Sequence, residues 1–200
     1  ESIEKITLED LKSFYKSNLS PSLANLHVVG AVDKETVMSS LTTLQQKWVA
    51  KDVAIPIIKV PQAPDKPIVY FIDVPGAKQS QLRIGYPALA ASDPDFYNAD
   101  VMNYRLGGGG FASQLTQELR ETKGYTYGVR SNFEGSKTTG PFVISSGVRS
   151  NVTSESLKLI DSIITNYSNN FTENDLELSK NYEIKSSARS FETANAKLNF

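Results

Sequence analysis

From residue 67 onward the chain reads as strand, strand, helix, helix, strand, strand, helix, helix. That order constrains the fold more than any other feature. A doubly wound parallel sheet needs single strands alternating with single helices, because each parallel crossover is a helix. Paired strands separated by paired helices give an antiparallel sheet with helices packed on one face, an α+β fold.

The individual elements follow from local pattern. Pro67 to Val74 is rich in Ile, Val, Tyr and Phe, and Pro75-Gly76 is a turn signal. Gln79 to Tyr86 alternates, with Leu82, Ile84 and Tyr86 on one face and Gln81 and Arg83 on the other. These two segments are expected to form an antiparallel hairpin. Asp93 with Pro94 opens a helix to about Leu106, where Gly107–Gly110 stop it. Phe111 to Lys123 resumes as a helix with Phe111, Leu115 and Leu119 as its stripe, closed by Gly124. Tyr125 to Phe133 reads as a strand with Tyr125, Tyr127, Val129 and Phe133 on one face. Phe142, Ile144 and Val148 mark the next strand. Thr153 caps a helix to about Asn169, and Thr172 with Asp175 opens a last helix that runs to the end of the chain.

Ahead of this lies a smaller unit. Thr7 and Asp10 are spaced as a near capping box for a helix over 7–18. Leu23 to Val32 reads as a buried strand, and Asp33 caps a helix to about Trp48. Residues 50–67 hold Pro56, Pro61, Pro64 and Pro67, so they read as a linker. Residue 1 is Glu, and the chain ends inside an expected helix, so both ends are expected to be cut points in a longer protein.

Composition then excludes several chemistries. There are no cysteines, which removes disulfides, thiolate metal sites and a cysteine nucleophile. One histidine, His27, cannot supply an ordinary catalytic zinc, which takes two or three. Within an expected strand it reads as a hydrogen-bonded histidine, with a ligand or base role the other reading. Twenty-one basic against 22 acidic residues give a net charge of −1, which argues against a general nucleic-acid binder without excluding a local basic patch. No apolar run approaches the roughly 20 residues that span a bilayer.

Two features could carry chemistry. Gly107–Gly110 lies between two helices and is followed by Phe111-Ala112-Ser113, not by the strand-first, Lys-Ser/Thr context of a phosphate loop. It reads as a helix break, as a flexible loop lining a cleft, or as a phosphate cradle. Arg120, Glu121, Lys123, Tyr125 and Tyr127 cluster at a helix-to-strand junction. A solvated helix end is the plain reading. Arg120 lies beside the Leu119 stripe and could flank a cleft; Tyr127 alternates as a core residue with its hydroxyl at an edge.

The residues also resemble a family. Leu106-Gly-Gly-Gly-Gly-Phe-Ala-Ser-Gln-Leu115 followed by Gln117-Glu-Leu-Arg-Glu-Thr-Lys-Gly-Tyr-Thr-Tyr-Gly-Val129 is similar to the C-terminal, non-zinc-binding region of M16 zinc metallopeptidases, the insulinase, pitrilysin and mitochondrial processing peptidase group. Ile6 to Tyr15, Leu26 to Asp33 and Pro75 to Ser80 resemble further family segments in the same order. The resemblance implies paired half-domains of like α+β fold. Residues 1–49 would be the end of one half-domain, 50–67 the linker, and 68–200 the next half-domain, truncated at its C-terminus. The helix–strand–helix of 1–48 could fill the place that 68–200 lacks, within the chain or by a swap between chains.

It further implies that His-x-x-Glu-His zinc chemistry lies in a partner half, with no cofactor in this chain. This segment would complete the cleft and hold an extended peptide. Arg120 and Tyr127 match the family's substrate-binding, transition-state-stabilising pair, and Gly107, Gly108, Gly109 and Gly110 would form a cleft loop. The partner would be a zinc-bearing half-domain or subunit, in a homo-oligomer or heterodimer. The alternative implied by the family is an inactive structural or assembly subunit of the same fold. Bacterial members are often found in the cell envelope, which points to the periplasm or envelope.

Overall fold

Strands β1 (Gln79–Pro87), β2 (Thr126–Phe133) and β3 (Pro141–Arg149) form one antiparallel sheet in the order β1–β3–β2 in the computed structural model, which describes residues 2–198. The main helices are α1 (Leu8–Asn18), α2 (Lys34–Lys47), α3 (Phe96–Asn103), α4 (Thr153–Asn170) and α5 (Glu173–Ser187). The chain divides into two compact units. One takes residues up to Ile57 with those from Ser186 onward; the other, Ile58–Lys185, holds the whole sheet. Among the described residues no helix is long and apolar enough to cross a membrane.

In the first unit the caps read from sequence are present. The Thr7 N–H donates to Asp10 at 2.8 Å and the Asp10 N–H donates to the Thr7 hydroxyl at 3.2 Å, a complete capping box. Asp33 accepts from the Thr36 N–H at 2.8 Å and opens α2. The expected strand at 23–32 does not form. Leu26, Val28, Val29 and Val32 are exposed and lie in no regular element, and His27 among them is exposed. The described residues of 1–48 thus contribute no strand to the sheet.

The second unit is built on alternation. In β3, Phe142, Ile144, Ser146 and Val148 are buried while the odd-numbered positions are open or half-open. Leu82 of β1 and Val129 of β2 join them on the same face. Leu115 and Leu119, Leu106, and Ile160, Ile163 and Tyr167 of α4 complete one core. Tyr167 ends in this core with its hydroxyl donating to the Met102 carbonyl at 2.8 Å, and burial pushes its pKa up. Every core side chain of the sheet thus points one way, and the architecture is the α+β sheet-and-helix layer expected.

The hairpin partner differs. Residues 67–74 form no strand; Val69, Tyr70, Phe71 and Ile72 are more than four-fifths exposed. β1 pairs instead with β3, with Ile84 opposite Ile144. The Pro75-Gly76 turn is present, with Gly76 at φ +79 and the Ala77 N–H donating to Val74. Composition says that a segment suits a pleated surface, but a strand needs a partner for its backbone groups, and 67–74 has none among the described residues.

Helix limits also shift. α3 begins at Phe96, because the Asp93 carboxylate accepts from the Asp95 N–H and holds 93–95 as a turn. The Thr172/Asp175 cap opens α5 as expected, with the Thr172 N–H donating at 2.9 Å. α5 stops at Ser187 and gives way to shorter turns; the end of the expected run, at 199–200, lies outside the described residues. Leu119 has no exposed surface, so Leu119→Ala should lower stability by about 2–5 kcal/mol. Urea unfolding should show a lower midpoint with an unchanged slope.

Candidate functional site

The glycine run begins inside a π-helical turn, Tyr104–Gly108, and ends on a 3-10 turn, Gly110–Ala112; a short α turn at Gln114–Thr116 and a second π-helical turn, Gln117–Thr122, follow. Such turns widen the helix by one residue and cost hydrogen-bond geometry, so they persist where something else fixes the chain. Here several bonds do. Arg105 donates through Nε to Asp175 at 2.8 Å and through its other end to the Ala112 carbonyl. The Ser113 hydroxyl donates to Gly110 at 2.7 Å, and the Gln117 amide donates to Phe111 at 2.6 Å.

Each glycine has a local reason. A Cβ on Gly107 would strike the Ser131 side chain and approach its backbone nitrogen to 2.7 Å. A Cβ on Gly108 would meet the Asn103 amide at 2.9 Å, and one on Gly109 would run into Tyr104. Gly110 faces open space at φ +56, a left-handed conformation. What the glycines admit is the protein's own backbone and the buried Asn103–Ser131 pair, in which each side chain donates to the other residue. Nothing in this packing leaves a cradle for phosphate.

Arg120 lies in the second π-helical turn, half-exposed. Its guanidinium stacks 4.5 Å from the centre of the Phe111 ring and its Nε lies 3.3 Å from Glu121. Phe111 is exposed and not part of the helix stripe expected of it. The Gly124 N–H donates to the Arg120 carbonyl and the Tyr125 N–H to Leu119, so the turn into β2 closes tightly on Arg120. Tyr127 is 87% exposed, which overturns its reading as a core residue. The cause is a β-bulge: Thr126 pairs with Val148 and Val129 with Ser146, so Tyr127 and Gly128 together stand against the single residue Gly147, one residue more than regular pairing allows. The Thr126 hydroxyl donates to the carbonyl of Gly147, inside the sheet, and accepts from the Gly128 N–H at 3.0 Å. That pin drives Tyr127 outward. Strict alternation from Tyr125 could not show this; the Thr126-x-Gly128 step was the only hint.

Among the described residues no hydrogen bond or ion pair joins Arg120 to Tyr127, and the Tyr127 hydroxyl has no partner. Two shallow depressions lie along β1 and β3, one extending to β2, and neither is lined by Arg120, Tyr127 or Gly107–Gly110. No group of three or more His, Asp or Glu among the described residues is placed to hold a metal. With His27 exposed and no thiol in the chain, these residues do not fit a zinc site.

The model of the peptidase M16 inactive domain matches residues 5–182. The chain belongs to the peptidase M16 inactive-domain family. It is 28% identical over 164 residues to an uncharacterized zinc protease of Streptomyces coelicolor, covering 80% of this chain and 35% of that protein. It is 29% identical over 150 residues to YmfF, a probable inactive metalloprotease of Bacillus subtilis, covering 74% and 34%. The chain thus spans about a third of the length of these curated relatives. Among solved structures it is similar to a peptidase M16 inactive domain from Pseudomonas fluorescens, with 25% identity, 99% of this chain and 46% of that one covered, and a TM-score of 0.80. A protease from Helicobacter pylori shares the fold at 21% identity over 97% of this chain and 48% of that one, with a TM-score of 0.81.

Two outcomes test how this M16 domain holds its loop. Gly107→Ala should cost about 1–3 kcal/mol through overpacking, whereas Gly128→Ala, facing open space, should stay within about 0.5 kcal/mol; thermal melts of both decide it. The second concerns pH. The Thr172 hydroxyl first, then the Thr172 N–H and Arg105, hold the Asp175 carboxyl below its usual range. A depressed carboxylate stabilises above its unfolded pKa of about 3.9 and loses that contribution as pH falls through its folded value. The stability gap between the protein and Asp175→Asn should be flat above about pH 5 and shrink below about pH 4.

Proposed function

We propose that this chain is the non-catalytic, substrate-binding domain of a zinc-peptidase-like protein, holding an extended peptide for a zinc-bearing half. That half is another part of the same chain or a separate subunit, and hydrolysis belongs to it. The 1–49, 50–67 and 68–200 boundaries then mark the end of one half-domain, a linker and the next half-domain.

One observation carries the reading. Tyr127 is an aromatic residue expelled by a pinned bulge from an otherwise ordered strand, with a free hydroxyl. A strand gains nothing in stability from exposing a tyrosine, and bulges recur where a side chain must be aimed. A phenol placed against a peptide can donate to a carbonyl oxygen as negative charge develops on it. Arg120 complements it. Its pair with neighbouring Glu121 is half-exposed and worth little, so the guanidinium fork remains available to a peptide carbonyl or carboxylate while Phe111 keeps it flat. The stapled Gly107–Gly110 loop carries Phe111 and so lines the Arg120 side of the cleft.

A second reading has its own support. One relative of this chain is named a probable inactive metalloprotease, so a structural subunit without peptidase work is the alternative. Kinetics separate the two. In the assembled, zinc-loaded protein, Tyr127→Phe should reduce peptide turnover by about 10²–10³ with an unchanged melting temperature. Unchanged turnover in an active complex would remove Tyr127 from the role, and no turnover with any zinc-bearing partner would favour the structural subunit.

A further inference from the structure

The three strands contain Arg83, Arg130 and Arg149 and no other charged side chain. All three arginines lie on the face away from the core, and all are exposed. The register ties two of them together. Arg83 of β1 and Arg130 of β2 both pair with Ser145 of β3, so they stand in one row on either side of the central strand. Their backbones are two inter-strand spacings apart, roughly 9.5 Å. Gln81 and Gly147 form the next row, and Gln79 and Arg149 the one after.

The central strand is small here. Ser145 and Gly147 lie between the longer side chains, and the two glutamines approach Gly147, where a Cβ would meet Gln81 at 3.0 Å. Beside them Gly128 faces open space. The result is a shallow trough of about 360 Å³ whose lining includes Arg83, Arg130, Ser145 and Gly147. Its width suits one extended chain. None of the three arginines has an ion pair among the described residues. The nearest carboxylate along the sequence, Glu134, lies one residue beyond β2 and accepts from Asn132 at 3.5 Å.

Three like charges on one small face, with no carboxylate between them, repel one another and gain nothing from the fold. From this we infer that the open face of the sheet selects peptide segments rich in Asp and Glu. The inference rests on the peptide-holding reading above and adds to it the substrate class. The occupant is an extended acidic segment, because the trough is polar, one strand wide and positively charged on both walls. A duplex nucleic acid would need a wider basic surface than one strand's footprint, and the chain as a whole is not basic.

The test is fluorescence anisotropy of the 200-residue chain with labelled ten-residue peptides that differ only in Glu, Gln or Lys content. The Glu peptide should bind more tightly than the Gln peptide at 50 mM salt, and the advantage should shrink at 300 mM. Arg83→Gln with Arg130→Gln should remove between about 2- and 30-fold of Glu-peptide affinity, the span of two exposed ion pairs, and leave the Gln peptide and the melting temperature unchanged. Arg83→Lys with Arg130→Lys should keep the preference. Equal binding of all three peptides would overturn the acidic selection and leave the peptide-holding reading standing. No binding of any peptide would overturn both. A preference that survives the glutamine pair, or tighter binding of a ten-residue single-stranded oligothymidylate than of the Glu peptide, would also overturn it.

Discussion

The structure depends on one asymmetry: the sheet of β1, β2 and β3 buries a single face. Because β3 is central and paired on both sides, the side of each sheet residue outside the Tyr127–Gly128 bulge follows from its register with β3. Buried Ile144 and Val148, with no more than 1% of their surface exposed, fix that register, since a slip of one residue would put Ser145 and Gly147 into the core. The helices then have one surface to cover. Leu115, Leu119, Ile160 and Ile163 cover it, and the opposite face carries Gln79, Gln81, Arg83, Arg130 and Ser145 with Val143 toward one end.

The same asymmetry explains why the glycine loop is where it is. Asn103 must reach Ser131 on β2 to satisfy a buried amide, which draws the end of α3 down onto the strand. Gly107 is then too close to Ser131 for any side chain, and the turn that holds it, Tyr104–Gly108, is widened to a π-helical one. Arg105 closes the arrangement by tying Ala112 to Asp175 at the start of α5. A loop of four glycines, in isolation a picture of flexibility, is here held at its far end by a charged anchor. Phe111 is presented by a fixed segment, and Arg120 inherits that fixity through its stacking on the ring.

Much of this was legible in the chain, and the failures have a common cause. Thr7/Asp10, Asp33 and Thr172/Asp175 were readable because a cap is a local bond over three residues. The core positions of β1 and β3 were readable because alternation reports a buried face directly. The segments 23–32 and 67–74 have strand composition yet form no strand, because pairing depends on a neighbour that composition does not contain. Tyr127 was misplaced because a bulge breaks the period of two between Thr126 and Val129, and its cause is a hydroxyl bond across to Gly147. The family resemblance singles out Arg120 and Tyr127 by motif for the proposed role, and the bulge accounts for a tyrosine that faces solvent.

The chain has one histidine, which is exposed, and no thiol, and no group of three or more His, Asp or Glu among the described residues is placed to hold a metal. What it has instead are donors of hydrogen bonds: a free phenol at the bulge, a guanidinium resting on an aromatic ring, and three unpaired arginines on an open sheet face. Such groups act only on what is placed against them, and they are all acceptor-seeking. A peptide main chain offers a row of acceptors at a regular spacing, and acidic side chains add more. A surface of this kind gains nothing from folding alone, since every exposed donor is already solvated. On the proposed reading, a one-sided sheet of this kind works where a peptide displaces water and the donors find acceptors.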